Sequence, residues 1–426
     1  MSINPTSPKT GLFIFHRDLR LYDNIGLCEL ASICDKIYCV FIFTPEQVGN
    51  SNDYKSKNAV EFMIECLADL KTSMHNKLIL LYGNHTSMCK YLVKEYDIDI
   101  IATNADYSPY ARKRDTELQS WCEKQGIYYL DFQDYSLFEM GSITATGGEP
   151  FKKFTPFYEN VRGKPVNSPR PFKHLSKIIG ANPTQHGITL TQAMERFVGT
   201  PNPDLHVHGG RKLASAQLAK TARTQNNYDK MRDQFSYETS NLSAYIKFGC
   251  VSIREAHTSL IQAYGASSGI IRELLWREFF AHILYAFPSV LETSYRALPE
   301  NVEWKTRPVA LKNWMHGTTG VAMIDACMKQ LNTTGYMHNR GRMLVATYLT
   351  KTLRIHWKHG EKYFATKLVD YDPASNNGNW QYISSTGVYA TPWFRTMSAE
   401  IQGDKYDTDE TYRKKWLGED YKGTNA

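Results

Sequence analysis

The run "GLFIF", residues 11–15, is the first of five short apolar segments whose spacing decides the fold. The others are "IYCVFIF" (37–43), "LILLYG" (78–83), "IDIIAT" (98–103) and "IYYLDF" (127–132). Each reads as a strand. Between them lie segments such as "AVEFMIECLADLKTSM" (59–74), with apolar residues at helical spacing. Strand–helix alternation of this kind predicts a parallel sheet with helices on both faces. No GxGxxG follows the first run, so the usual dinucleotide fingerprint is absent.

Downstream the pattern changes. Residues 145–225 are rich in Pro and Gly, as in "FTPFYENVRGKPVNSPRPFKH" and "GTPNPDLHVHGG", and read as a long connector over the surface. From about residue 226 most segments have helical period. The expected organisation is an α/β domain over 1–135, a connector over 136–225 and a mostly helical domain over 226–426. A chain of 426 residues has room for two or three such units. No apolar run approaches the ~20 residues of a membrane span, and the N-terminus has no signal-peptide core. The formal charge of +7 permits a polyanionic partner without demanding one. Eight scattered cysteines with no CxxC pair argue for a reduced, intracellular compartment and against a metal site or disulfide framework.

Several stretches could carry chemistry. In "RELLWREFFAHI" (272–283), a helix puts Glu273, Trp276, Arg277 and Phe280 on one side. The plain reading is a Glu273–Arg277 pair beside a packed Trp. The sharper one is a pocket wall in which Trp276 stacks on a planar ligand, Glu273 bonds its edge and Arg277 meets a phosphate. In "GYMHNRGRM" (335–343), a helix would align Tyr336, Asn339, Arg340 and Met343, an amide and a soft apolar group suited to a base-like edge. A core helix with exposed arginines is the competing reading. Arg342 could pair with Asp370, and His338 reads as structural. In "YETSNLSAYIKFG" (237–249), Thr239 or Ser240 is placed to cap a helix, an end that also suits phosphate. Finally, "DYDPASNNGNWQY" (370–382) crowds carboxylates and amides around one Gly and a Trp. As a solvated loop it would need no explanation; as a buried one it would need a polar ligand.

Together these stretches resemble the photolyase/cryptochrome flavoprotein family, most closely its class I cyclobutane-dimer DNA photolyases. "FIFHRDLRLYDNIGL", "DYSPYARKRD" (106–115), "FTPF" (154–157), "TSNLS" (239–243), "LLWREFF" (274–280), "TGYMHNRGRM" (334–343) and "DYDPASNNGNWQ" (370–381) follow in family order along nearly the whole chain. The resemblance implies a Rossmann-like α/β domain and a helical domain holding FAD, active as FADH⁻. Tyr228, Thr239, Ser240, Leu242 and Ser243 would hold its phosphates and ribityl chain, with Arg277 assisting. The segment 370–380 would wrap the flavin ring, with Asp370 on Arg342, Asp372 on the ring's polar edge and Asn376 beside N5. Trp380, Trp357 and Trp304 match the family's electron relay.

The implied activity is light-dependent splitting of UV-induced pyrimidine dimers by an electron from the excited flavin, on a flipped-out lesion. Asn339 and Met343 follow the cyclobutane pattern, whereas similar (6-4) enzymes place histidines at both positions. Glu273 and Trp276 would contact the dimer, Tyr382 would wall its pocket where many relatives have Trp, and Arg232, Arg277, Arg340 and Arg395 would line the route to DNA phosphates. The alternatives are a cryptochrome photoreceptor, a (6-4) photolyase or an electron carrier. A monomer with no membrane partner is expected. Ser108 and Leu291-Glu292 stand where folate-binding members carry an acid and a Cys-Lys pair, which disfavours a folate antenna; a deazaflavin, a second flavin or none stays open. Ser398-Ala399 replaces the usual Asn-Pro, and Tyr336 a common Trp. Relatives usually run on for several tens of residues after "RKKWLGEDY", so part of the FAD domain is expected to be more open here.

Overall fold

The expected strands pair in parallel. The structure, a computed structural model, describes residues 9–418 and Tyr421. Strands β1 (Thr10–Phe15), β2 (Lys36–Phe43), β3 (Leu78–Tyr82), β4 (Ile100–Ala105) and β5 (Tyr128–Gln133) form a sheet in the order β3-β2-β1-β4-β5. Helices α1 (Ile25–Ile33), α2 (Pro45–Val48), α3 (Lys57–Ser73), α4 (His85–Tyr96) and α5 (Pro109–Gln125) connect them. Alternate residues of each strand enter different cores: Phe13 and Phe15 join one, Leu12 and Ile14 the other. Burial on both faces explains why β1 to β4 read as largely apolar runs, while β5, at the sheet edge, is half-exposed.

The connector is more structured than its composition implies. It holds α6 (Phe154–Val161), α7 (Leu190–Phe197) and α8 (Arg211–Thr224), and its Ile178–Ile179 forms β6 beside β2. Phe154, Phe157, Tyr158 and Val161 recur at helical spacing and are all buried, so Pro and Gly mark turns between packed pieces.

The helical domain comprises α9 (Tyr228–Met231), α10 (Ser243–Lys247), α11 (Ile253–Tyr264), α12 (Gly269–Ala286), α13 (Pro308–His316), α14 (Ala322–Thr334), α15 (Asn339–Thr347), α16 (Trp357–Lys367), α17 (Pro373–Ile383), α18 (Ala399–Tyr406) and α19 (Thr411–Leu417). Among the described residues no helix is long and apolar enough to cross a membrane.

Buried charge ties the domains together. Arg254 of α11 reaches Asp23 at 2.9 Å and Asp134 at 2.7 Å, and Arg20 meets Asp134 at 2.7 Å. Burial works against a charged Asp134, yet Arg20 and Arg254 hold its carboxyl below the usual range. The backbone N–H of Leu19 donates to the Phe248 carbonyl at 3.0 Å. This seam aligns the carboxyl end of β1 with the start of α17.

Candidate functional site

Most of the polar stretch 370–382 is a helix rather than a loop: α17 begins at Pro373. Asp372 is its N-cap, accepting from the Ser375 N–H at 3.0 Å, and Pro373 occupies the first turn. An Asp cap followed by Pro at N1 is a strong helix start, and it outweighs the many asparagines. Most of the amides then serve the protein itself. Asn377 and Gln381 donate to the Val290 carbonyl at 3.0 and 2.8 Å, and Gln381 accepts from the Tyr295 N–H at 3.1 Å. Asn379 bonds back to the Ser375 carbonyl. Asn376 donates to the Glu361 carbonyl at 3.0 Å and to its carboxylate at 3.3 Å. Gly378 has a steric cause, because a Cβ there would overlap the Phe280 ring on α12.

Asp370 and Asp372 have different partners. Both oxygens of Asp370 accept from Arg342 Nη2, at 3.2 and 2.9 Å, the pairing the sequence suggested. Asp372 faces the α/β domain. Its Oδ2 accepts from Arg17 at 2.8 Å and from the Tyr107 hydroxyl at 3.3 Å, while Oδ1 caps the helix. Burial opposes its ionisation, but Arg17 and Arg277 hold the carboxyl below the usual range. Asp372 thus caps α17 and ties it to the α/β domain. Lys247 lies in the same field, and burial first, then Arg17, lower its ammonium to about 8.

Helix α12 departs from the simple pairing expected. Glu273 does not bond Arg277; it meets Arg232 at 2.7 Å, while Arg277 turns to Glu278 at 3.2 Å. Trp276 is stacked on Phe154, with centroids 3.5 Å apart and planes at 6°. Tyr382 meets it edge-on at 6.3 Å and stacks on Tyr389 at 5.3 Å. One Trp276 face is thus covered by protein, the ring and Tyr382 form a corner, and Glu273 lies one turn before Trp276 on α12.

Helix α15 begins at Asn339, with His338 as cap through Nδ1 at 3.1 Å from the Arg340 N–H. Tyr336 lies outside it, so the four-residue stripe expected from the sequence reduces to Asn339 and Met343. Asn339 is exposed and Met343 half-buried. Arg340 is half-buried, pairing with Asp233 at 2.5 Å and lying over Tyr406 at 4.7 Å. Arg395 is exposed and makes no ion pair among the described residues. The chain Glu273–Arg232 and Asp233–Arg340 fastens α12 to α15 through adjacent residues 232 and 233.

The 239–243 segment does not cap a helix with Thr239 or Ser240. Helix α10 starts at Ser243, with Leu242 at the cap position, because Asn241 takes a left-handed conformation (φ 50°) that breaks the run. The Ser240 carbonyl is fixed by Gln217 at 2.8 Å. Thr239 lies 3.5 Å from the Tyr336 hydroxyl, and His206 stacks on Tyr336 at 4.1 Å. Tyr228 is half-buried, at the start of α9.

Two of the three relay candidates are buried and the third is half-buried. Trp380 packs on α16: a Cβ at Gly360 would overlap its ring, and Phe364 lies 5.0 Å away. Trp357 is fully buried and donates to Ser294 Oγ at 2.9 Å. Trp304 is half-buried. Trp314, read from sequence as core alone, is indeed fully buried and also meets Trp380 edge-on at 6.1 Å.

Sequence reasoning missed Arg17, Tyr107, His206 and Glu361. Glu361 is buried; burial pushes its carboxyl to about 7 against hydrogen bonds from Tyr54 and Asn376, and its second oxygen has no partner. Arg17 was visible within "FHRDLR", but a partner 355 residues away was not.

These residues fit a flavin dinucleotide. The segment 239–243 offers half-exposed hydroxyls and the free, exposed Ser243 for phosphates. Arg342 with Asp370, and Asn376 backed by a half-satisfied Glu361, offer polar partners for a ring system. An α/β sheet with a helical domain built this way defines a two-domain flavin-binding protein. Residues 12–173 match the family model described as DNA photolyase, and residues 270–423 match the FAD binding domain of DNA photolyase. The chain is 32% identical to the deoxyribodipyrimidine photo-lyase of Synechococcus sp., covering 96% of this chain and 87% of that protein. The Escherichia coli enzyme of that name is 32% identical, covering 96% and 89%. Among solved structures, an archaeal photolyase from Sulfolobus tokodaii has a TM-score of 0.85 at 35% identity, covering 96% and 90%. A class III photolyase from Agrobacterium tumefaciens reaches 0.88 at 27%, covering 97% and 87%. The chain belongs to the DNA photolyase family, and its helical domain binds FAD.

Proposed function

We propose that this chain is a light-dependent DNA-repair lyase that splits cyclobutane pyrimidine dimers in UV-damaged DNA. The observation that carries the substrate reading is the corner formed by Trp276 of α12 and Tyr382 of α17 in the FAD domain, with Glu273 one turn before Trp276. A flipped dimer is flat, apolar and edged with carbonyl and N–H groups. Aromatic walls suit its faces, and a carboxylate suits its N–H edge.

The bound reduced flavin supplies the electron that opens the dimer under light. The protein positions. Arg342 and Asp370 fix one polar partner of the ring, Asn376 is oriented by Glu361, and the 239–243 hydroxyls take phosphate. Glu273 releases Arg232 as the dimer's N–H donors replace it. Freed Arg232 and exposed Arg395 then meet DNA phosphates, a salt-sensitive contribution. Asn339 and Met343, rather than two histidines, support the cyclobutane lesion over the (6-4) lesion. The chain acts as a monomer inside the cell in this reading. The Sulfolobus relative is described with two FAD molecules and a novel light-harvesting cofactor. Here Ser108 caps α5 and the Leu291 and Glu292 carbonyls accept from Lys358 at 2.8 Å, so neither place offers the acid or the Cys-Lys pair of a folate site, and a second flavin, a deazaflavin or none stays open.

The test is repair by the reduced holoprotein of two oligonucleotides, one with a cyclobutane thymine dimer and one with a (6-4) lesion, in blue light and in the dark. Light-dependent loss of the cyclobutane dimer alone is expected. Repair of the (6-4) lesion would overturn the substrate reading, and repair of neither, with FAD bound, would overturn the repair reading.

A further inference from the structure

Between the two outer relay candidates lies a residue that neither the motifs nor the cofactor accounts for. The His356 ring is 5.1 Å from the Trp304 ring and 5.5 Å from the Trp357 ring, tilted 60° to the first and 29° to the second. One imidazole thus touches both indoles. Its Nδ1 caps α16, accepting from the Lys358 N–H at 3.2 Å, so the neutral ring carries its proton on Nε2 and a second proton must go to Nδ1 at the cost of that cap.

We propose that His356 sets the energy of an electron hole on Trp357 and Trp304, and that its protonation closes the relay. This deepens the reading above and rests on those tryptophans carrying electrons. In photoreduction one electron leaves Trp304, passes through Trp357 and Trp380 to the oxidised flavin, and a thiol reductant in solution refills the hole on Trp304. Each hole is a positive charge on an indole. A second positive charge about 5 Å away disfavours it strongly in a partly buried site. Because the imidazole lies beside Trp357 and Trp304 together, its charge opposes the step out of Trp380, and the electron falls back.

The surroundings keep His356 neutral under ordinary conditions. Burial, His359 and Lys358 all lower its basicity. Arg354 binds the Lys305 N–H through its carbonyl at 2.7 Å, Glu303 and Lys305 flanking Trp304 are exposed, and Lys351 lies over Trp393, which packs on Trp304. Among the described residues no carboxylate pairs with His356. The relay is therefore open near neutrality and closes on acidification below the ordinary histidine range.

The experiment follows photoreduction of the FAD-loaded, oxidised protein with dithiothreitol in blue light, between about pH 7.5 and about pH 5. The natural chain should slow by about tenfold or more across that range. His356→Asn keeps an N-cap without a titrating charge and should change less than about twofold. His356→Arg should be slow at every pH while retaining FAD. Trp304→Phe serves as the control for the relay itself and should be slow throughout. An acid loss that persists unchanged in His356→Asn overturns the role of His356. Fast photoreduction in Trp304→Phe overturns the relay reading, and the proposal with it.

Discussion

Replacing Arg17 with leucine should loosen the seam between the two domains. The guanidinium reaches Asp106 at 2.9 Å and Asp372 at 2.8 Å, and the side chains of Arg17 and Asp372 are 9% and 10% exposed. Leucine leaves Asp372 buried without its nearest cation. Breaking a buried pair from one side costs roughly 3–5 kcal/mol. The Tyr107 hydroxyl remains on Asp372, and Arg277 and Lys247 stay in its field, so about 3 kcal/mol is expected. Because Asp372 caps α17, the loss should also reach Asn376 and Trp380 and weaken FAD retention. Urea unfolding followed by tryptophan fluorescence, with gel filtration to measure bound FAD, reads both effects. The pH dependence fixes the cause. Asp372 has a folded pKa below its unfolded value, so its contribution is complete above about pH 4 and disappears as the pH falls through the folded value. The difference between the two proteins should be constant near neutrality and shrink in acid. A neutral-pH difference under about 0.5 kcal/mol, or one undiminished in acid, would refute the lock.

Three further substitutions separate structural from substrate roles. Glu273→Ala should leave FAD content and stability nearly unchanged, because its pair with Arg232 is solvated, but weaken repair by about tenfold, the worth of one substrate hydrogen bond; unimpaired repair would remove Glu273 from the site. Tyr382→Trp enlarges the wall beside Trp276 and should tighten binding of a dimer-containing oligonucleotide by about two- to fivefold, read by titration; unchanged affinity would place the lesion elsewhere. Gly378→Ala should destabilise by about 1–3 kcal/mol, since the new methyl meets Phe280, whereas a free helical site would gain up to about 1 kcal/mol from the same change.

The sequence by itself determined the α/β sheet, because strands buried on both faces must be largely apolar, and four such runs, with a fifth at the sheet edge, stand out from their helical connections. It also pointed to the helical domain and offered the pairing of Arg342 with Asp370 that the structure shows. It carried enough of α17 to identify that too: an Asp, a Pro and a Ser in the order of a cap were present, but the crowd of amides drew the reading toward a loop. Tertiary structure decided what those amides do. Asn377 and Gln381 spend their hydrogen bonds on the Val290 carbonyl, nearly 90 residues away in the chain. It decided that Asp372 answers to Arg17, that Glu273 answers to Arg232 and that Arg340 answers to Asp233. Local periodicity places a side chain on one face of its own helix. Which opposite charge arrives at that face depends on how distant segments pack, and a charged group goes to whichever partner repays its desolvation.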